Sequence, residues 1–178
     1  MGWFGKSRHE KQVEAALKVW GNLFEKTTRG GADAPPVLNF RRPDSRYRYA
    51  MFSLSTIQVA CAPYMGNPDA VLNELSQNIV QLAVYGKGKE QLIEDGVSPQ
   101  MTANLGSELL GDFLHQWSAW LDVAPTNREA GINIVAGMLL STETSEPATD
   151  ADALRLRPLA EWIVDRVRDM GEAFAEMV

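Results

Sequence analysis

Apolar residues recur every three or four positions through most of the chain, which is the spacing of helices with one buried side. The first such stretch predicts a helix over residues 7–26, ended by a turn that contains Gly30 and Gly31. Asn67 and Pro68 open another helix, because asparagine is a good helix cap and proline fits the first turn. Further patterns predict helices over residues 98–121, 127–140 and 158–177, and a short helical turn over 89–95.

Three stretches lack this clean pattern. Residues 49–65 fit either a strand entering a helix or a helix throughout, and we favour a helix over about 53–64. Residues 29–48 are broken by glycine and proline pairs and predict an irregular loop, whereas the polar, acidic residues 141–152 predict an exposed loop. The chain is therefore predicted to be all-α, a single domain over residues 1–178. Five to six helices would form an irregular bundle, with a long basic loop after the first helix.

Composition narrows the class of protein without identifying an activity. The 178 residues are 45% hydrophobic and 22% charged, which is usual for globular proteins and excludes collagen-like, low-complexity and disulfide-rich chains. The single cysteine, Cys61, lies in an apolar run and is predicted to be a buried, inert thiol. No signal peptide or membrane span is visible, so the expectation is a soluble, cytoplasmic protein with residues 1–8 as a flexible tip.

Charge is divided unevenly along the chain. The formal net charge is −6, from 17 Lys and Arg against 23 Asp and Glu. Residues 1–48 carry 10 basic and 5 acidic side chains, a net of +5, whereas residues 49–178 carry 7 and 18, a net of −11. The chain is thus predicted to be an acidic body with a basic amino-terminal quarter.

The basic quarter contains a segment rich in arginine and aromatic residues. Its candidate partner-binding residues are Arg41, Arg42, Arg46, Tyr47 and Arg48. Arginine forks match phosphate geometry and aromatic rings can stack on bases, but the same residue types also anchor protein interfaces. A third interpretation is that these arginines pair with the acidic body of the same chain. The whole-chain pI of about 5.0 disfavours nucleic acid as the partner.

Trp3 and Phe4 form a second candidate, an aromatic tip next to Lys6 and Arg8. Aromatic rings beside cations suit a membrane surface, although a tip with so few cations would be a weak anchor. The tip could equally dock on a groove of its own fold or on another subunit. We favour partner docking over membrane contact for this segment.

The third candidate is the last predicted helix. Its apolar residues from Ile163 to Met177 follow the alternating spacing of a helix that packs along another helix. Packing within the same domain is the simplest explanation, and a docking helix for a homodimer or a larger assembly is the alternative. The candidate contact residues are Trp162, Met170, Phe174 and Met177.

Catalytic and metal-binding patterns are weak. Glu108, Asp112 and His115 share one helix side, but this side opposes the apolar one, and a bundle metal site needs a second such set. The chain has no phosphate loop, dinucleotide-binding glycine motif or zinc-protease motif. No metal and no cofactor are predicted, and an enzyme would have to assemble its carboxylates from distant positions.

These patterns predict a non-enzymatic helical interaction protein: an adaptor, a chaperone-like factor or an accessory subunit of a larger protein assembly. Its partners would be proteins, with homo-oligomers included. The alternative function is binding of anionic ligands, either nucleic acid or an anionic membrane surface, through the arginines of residues 41–48. A carboxylate-based enzyme is the third and least favoured hypothesis.

Overall fold

The computed structural model describes residues 6–29, 38, 44–85, 99–143 and 149–178, and within these ranges it contains six helices and no strand. The predicted all-α class and the packed helical bundle are confirmed. The helices are α1 (Arg8–Arg29), α2 (Ser45–Cys61), α3 (Pro68–Tyr85), α4 (Pro99–Val123), α5 (Arg128–Glu143) and α6 (Asp150–Met177). A short 3₁₀ turn, Ala62–Tyr64, follows α2.

Several helices begin where a polar side chain caps them. Ser7 and Glu10 form a reciprocal capping box at the start of α1, with the Ser7 amide donating to the Glu10 carboxylate at 2.6 Å. The Asn127 side chain accepts from the Ala130 amide at 3.0 Å at the start of α5. Thr149 accepts from the Asp152 amide at 3.2 Å, so α6 starts at Asp150, eight residues before the predicted start.

The helices that flank both predicted loops extend into them. Residues 45–48 form the first turn of α2, and Arg29 ends α1, so the basic loop predicted over 29–48 is not confirmed at either end. Residues 30–37 and 39–43 lie outside the described residues, as does the helical turn predicted over 89–95. The predicted acidic loop over 141–152 loses residues 141–143 to α5 and 150–152 to α6, Thr149 caps α6, and residues 144–148 lie outside the described residues.

Helix α2 is the centre of the bundle, because it contacts each of the other five helices. Thirteen of its 17 residues are buried, including Phe52, Leu54 and Ile57. A helix that is covered on all sides has no polar face, which explains why the sequence of residues 49–65 shows no helical period. The helix predicted there is confirmed, but it starts at Ser45 rather than near residue 53.

Serine hydroxyls on α2 bond to tryptophan side chains of neighbouring helices inside the core. The Trp20 indole of α1 donates to the Ser53 hydroxyl at 2.8 Å, and the Trp117 indole of α4 donates to the Ser55 hydroxyl at 3.1 Å. Each serine hydroxyl in turn donates to a carbonyl of its own helix. The buried donors and acceptors of these pairs are therefore matched, and each pair sets the register of two helices.

These contacts also fix the directions of the helices. Tyr47 lies against Gly106 and Ser55 bonds to Trp117, so α2 and α4 run parallel. Helix α6 also runs parallel to α2. Near its carboxyl end, Gly171 lies against Ala60 at the end of α2. Near its amino end, Arg155 binds the Glu143 side chain, and the Glu143 carbonyl accepts a hydrogen bond from Ser45 at the start of α2. Helix α1 is antiparallel to α2, because Trp20 pairs with Ser53 and Thr27 with Tyr49.

One end of the bundle, which we call the C-terminal end of the bundle, contains the carboxyl ends of α2, α4 and α6 and the amino end of α1, where Arg8 lies beside Gly66. The turns after α2 and α4 also lie there, with the amino ends of α3 and α5 that follow them. Among the described residues, none of the helices combines the length and apolar character that crossing a bilayer requires.

Candidate interaction site

The structure describes only some of the arginine and aromatic residues that the sequence singled out. Trp3, Phe4, Arg41 and Arg42 lie outside the described residues. Arg46, Tyr47 and Arg48 are on the first turn of α2. The Arg48 guanidinium donates to the Asp44 carboxylate at 2.6 Å, a local pair within the basic quarter rather than the predicted pairing with the acidic body.

Arg46 is exposed, whereas Tyr47 is buried. The hydroxyl of Tyr47 occupies the space left by the missing side chain of Gly106 on α4, and burial raises the pKa of Tyr47 to about 12. This tyrosine therefore contributes to helix packing, and its ring is not presented on the surface for stacking.

The seam of apolar residues on α6, from Ile163 to Met177, is also partly buried and partly exposed. Met170 and Phe174 are buried in the core, with Ile163 and Val167. Trp162 is half-buried and the Arg166 guanidinium lies 4.5 Å from the centre of its ring, a cation–π arrangement. Met177 remains exposed at the carboxyl end of the helix. Packing within the domain thus uses most of this seam.

The acid and histidine side chains do not converge. Glu108, Asp112 and His115 are all exposed on α4, and the described part of the chain holds no group of three potential metal ligands. His9 pairs with Glu74 across α1 and α3 at 2.7 Å. Cys61 is buried, as predicted, and burial raises the pKa of its thiol to about 12.

The exposed apolar residues mark a part of the surface from which the sequence analysis singled out only Met177. Tyr64, Leu121 and Met177 are respectively 42%, 52% and 41% exposed, and all three belong to the C-terminal end of the bundle. Single exposed apolar residues are ordinary, and these three share one end of the bundle, which makes that end the candidate interaction surface. Leu154, at the amino end of α6, is the other large apolar side chain exposed within a described helix.

Leu121 borders an open apolar groove of about 420 Å³ between the α4–α5 turn and α6, which we call the groove. Its lining residues are Trp120, Leu121, Ala124, Pro125, Arg128 and Val164. Trp120 forms a firm wall, because its indole lies against Gly131 of α5 and packs edge-on against Trp117 at 5.2 Å between ring centres. The groove is open to solvent, and its lining is apolar except for Arg128.

Ion pairs surround the groove. Arg128 donates to Asp165 at 2.7 Å, which raises the pKa of the Arg128 guanidinium. Arg157 binds the carboxylates of both Glu129 and Glu161, and its bond to Glu129 lowers the pKa of that carboxyl group. These pairs join the start of α5 to α6 and hold the two walls of the groove together.

One sequence signal points to the groove in retrospect. The apolar side of α4 is wider than a single buried face requires, because Leu110, Leu114 and Leu121 extend it beyond the row that contains Phe113 and Trp117. The core covers Phe113 and Trp117 and leaves Leu121 half in solvent. The sequence shows that the apolar side of α4 is unusually wide, but only the packing of the helices shows that Leu121 is the residue left exposed.

Comparison of the chain with models of known protein families, with curated proteins and with solved structures gives no match.

Proposed function

We propose that this protein is a non-enzymatic interaction protein, an accessory subunit or adaptor that binds a protein partner through the C-terminal end of its helical bundle. The observation that carries the proposal is the grouping of Tyr64, Leu121 and Met177 at that end, with Leu121 beside an open apolar groove. Covering apolar surface of this kind releases about 25 cal/mol for each Å² removed from water, so a partner gains affinity there.

The way in which the bundle is held together supports a role as a rigid binding scaffold. The central helix is fixed to α1 and α4 by buried Trp–Ser hydrogen bonds, and ion pairs join α5 to α6 beside the groove. A wall that is already rigid loses little conformational entropy when a partner binds, which favours affinity.

The test is to purify the tagged full chain from cells that naturally make it and to determine its mass by size-exclusion chromatography with light scattering. We expect a mass above the 19.7 kDa of the chain alone, and we expect Leu121→Gln to reduce it. Ala119→Gln is the matched control, because Ala119 is exposed on the same helix and two positions away, hence on a different side. A mass of one chain at every salt concentration would refute the proposed function.

A further inference from the structure

The groove has a chemistry that selects one kind of occupant. Five of its six lining residues are apolar, so the floor suits a bulky aliphatic or aromatic side chain. The sixth, Arg128, is bound to Asp165 at 2.7 Å and is also within the field of Glu129 and Glu161. The one cation of the groove is therefore already neutralised by the chain itself.

The charges around the groove are predominantly negative. The charged side chains beside it are the four acids Asp122, Glu129, Glu161 and Asp165 against the two cations Arg128 and Arg157, a net of −2. Asp122 is exposed directly after Leu121, and Asp165 follows Val164. An apolar floor next to surplus carboxylates attracts cations to its edges and repels anionic surfaces.

From this complementarity we infer that the groove binds a basic amphipathic helix of a protein partner, with one bulky apolar side chain inserted beside Trp120 and Leu121 and Lys or Arg side chains facing the carboxylates. This mode matches the way amphipathic helices occupy apolar grooves in general. The same carboxylates disfavour an anionic membrane or a nucleic acid as the occupant of this groove. The inference rests on the proposed function and specifies the partner's chemistry.

The probe is a fluorescent 14-residue helical peptide made of Leu and Lys, and its counterpart has Glu in place of every Lys. Binding of each peptide to the full chain is measured by fluorescence anisotropy at low and high salt. We expect the Lys peptide to bind at least about tenfold more tightly than the Glu peptide, with the difference shrinking as salt screens the charges.

Neutral substitutions then separate the apolar contribution from the electrostatic one. Leu121→Gln should weaken binding of the Lys peptide about tenfold, and Asp122→Asn should weaken it severalfold at low salt only. Ala119→Gln and Glu108→Gln are the matched controls, since both residues are exposed elsewhere on α4. Thermal unfolding of each variant, followed by circular dichroism, verifies that the bundle is intact.

Besides failure of the Lys peptide to bind, three results would overturn the inference. The first is equal binding of the two peptides, and the second is binding that is unaffected by Leu121→Gln in a folded variant. The third is self-association that Leu121→Gln abolishes, which would make a second copy of the chain the occupant. If the Lys peptide fails to bind while the native complex still depends on Leu121, the basic helix is wrong and the proposed function stands. If the Lys peptide binds but the chain purifies alone, the proposed function fails.

Discussion

Helix α6 approaches the central helix so closely at Gly171 that a single methyl group should destabilise the fold. A Cβ atom at position 171 would lie 2.4 Å from the carbonyl oxygen of Ala60 and 2.8 Å from the Tyr64 ring. The Ala60 oxygen belongs to the backbone of α2 and cannot rotate away. Gly171→Ala therefore requires the two helices to separate by several tenths of an ångström.

The expected magnitude follows from two opposing effects. Alanine is favoured over glycine within a helix by about 1 kcal/mol. Overpacking a closely packed core usually costs about 1–3 kcal/mol, and backbone contact places this site at or above the upper part of that range. We expect a net loss of about 1–2 kcal/mol in the free energy of unfolding, which corresponds to a fall in Tm of about 2–8 °C for a chain of this length.

Gly111→Ala and Gly137→Ala are matched controls, because no heavy atom outside the helix lies within 4 Å of a Cβ at either position. Each control should raise Tm by about 2–4 °C through helix propensity alone. The assay is thermal unfolding followed by circular dichroism, with urea unfolding for the free energy. If Gly171→Ala stabilises the protein as much as the controls do, the close approach of α6 to α2 is refuted.

Three further predictions test the core. Cys61 should react with a thiol reagent at pH 8 only as fast as the protein opens, because burial raises its pKa to about 12; rapid stoichiometric modification of the folded chain would contradict this. Burial raises the pKa of Tyr47 from 10.0 to about 12. The unfolded state therefore loses the Tyr47 proton at a lower pH than the folded state does, and the free energy of unfolding should fall as pH rises from about 10 to 12. Absorbance titration at 295 nm should lose a late-titrating component in Tyr47→Phe, and an unchanged titration would refute the assignment. Ser55→Ala should lower the free energy of unfolding by about 1–3 kcal/mol, because it leaves the buried Trp117 indole without its acceptor. Ser118→Ala, at an exposed position of α4, should change it by less than about 0.5 kcal/mol.

Helices with one buried side could be predicted from the sequence, and helices without such a side could not be delimited. The α1 and α4 predictions end within three residues of the observed helices, since their apolar residues repeat along one side. Helix α2 is buried all round and contains Ser53 and Ser55, so its sequence offers neither an apolar stripe nor a uniformly apolar run. The two serines are buried because they accept hydrogen bonds from Trp20 of α1 and Trp117 of α4, and these tryptophans are distant in sequence.

The candidate site depended on information that is not local. The sequence correctly showed that Met177 and Leu121 are apolar, but whether such residues are covered depends on which helices pack against them. Met170 and Phe174 belong to the same seam as Met177 and are buried, while Met177 is exposed. The grouping of Tyr64, Leu121 and Met177 follows from the parallel course of α2, α4 and α6, which no single segment specifies.

Site-specific photocrosslinking at position 121 shows directly whether a partner contacts the C-terminal end of the bundle. A photoreactive phenylalanine derivative replaces Leu121 in one version of the full chain and Ala119 in the other, and both are irradiated in cells that naturally make the protein. We expect one dominant crosslinked protein from position 121 and little or none from position 119. Equal crosslinking from both positions, or no crosslinking from position 121, would contradict binding through the C-terminal end of the bundle.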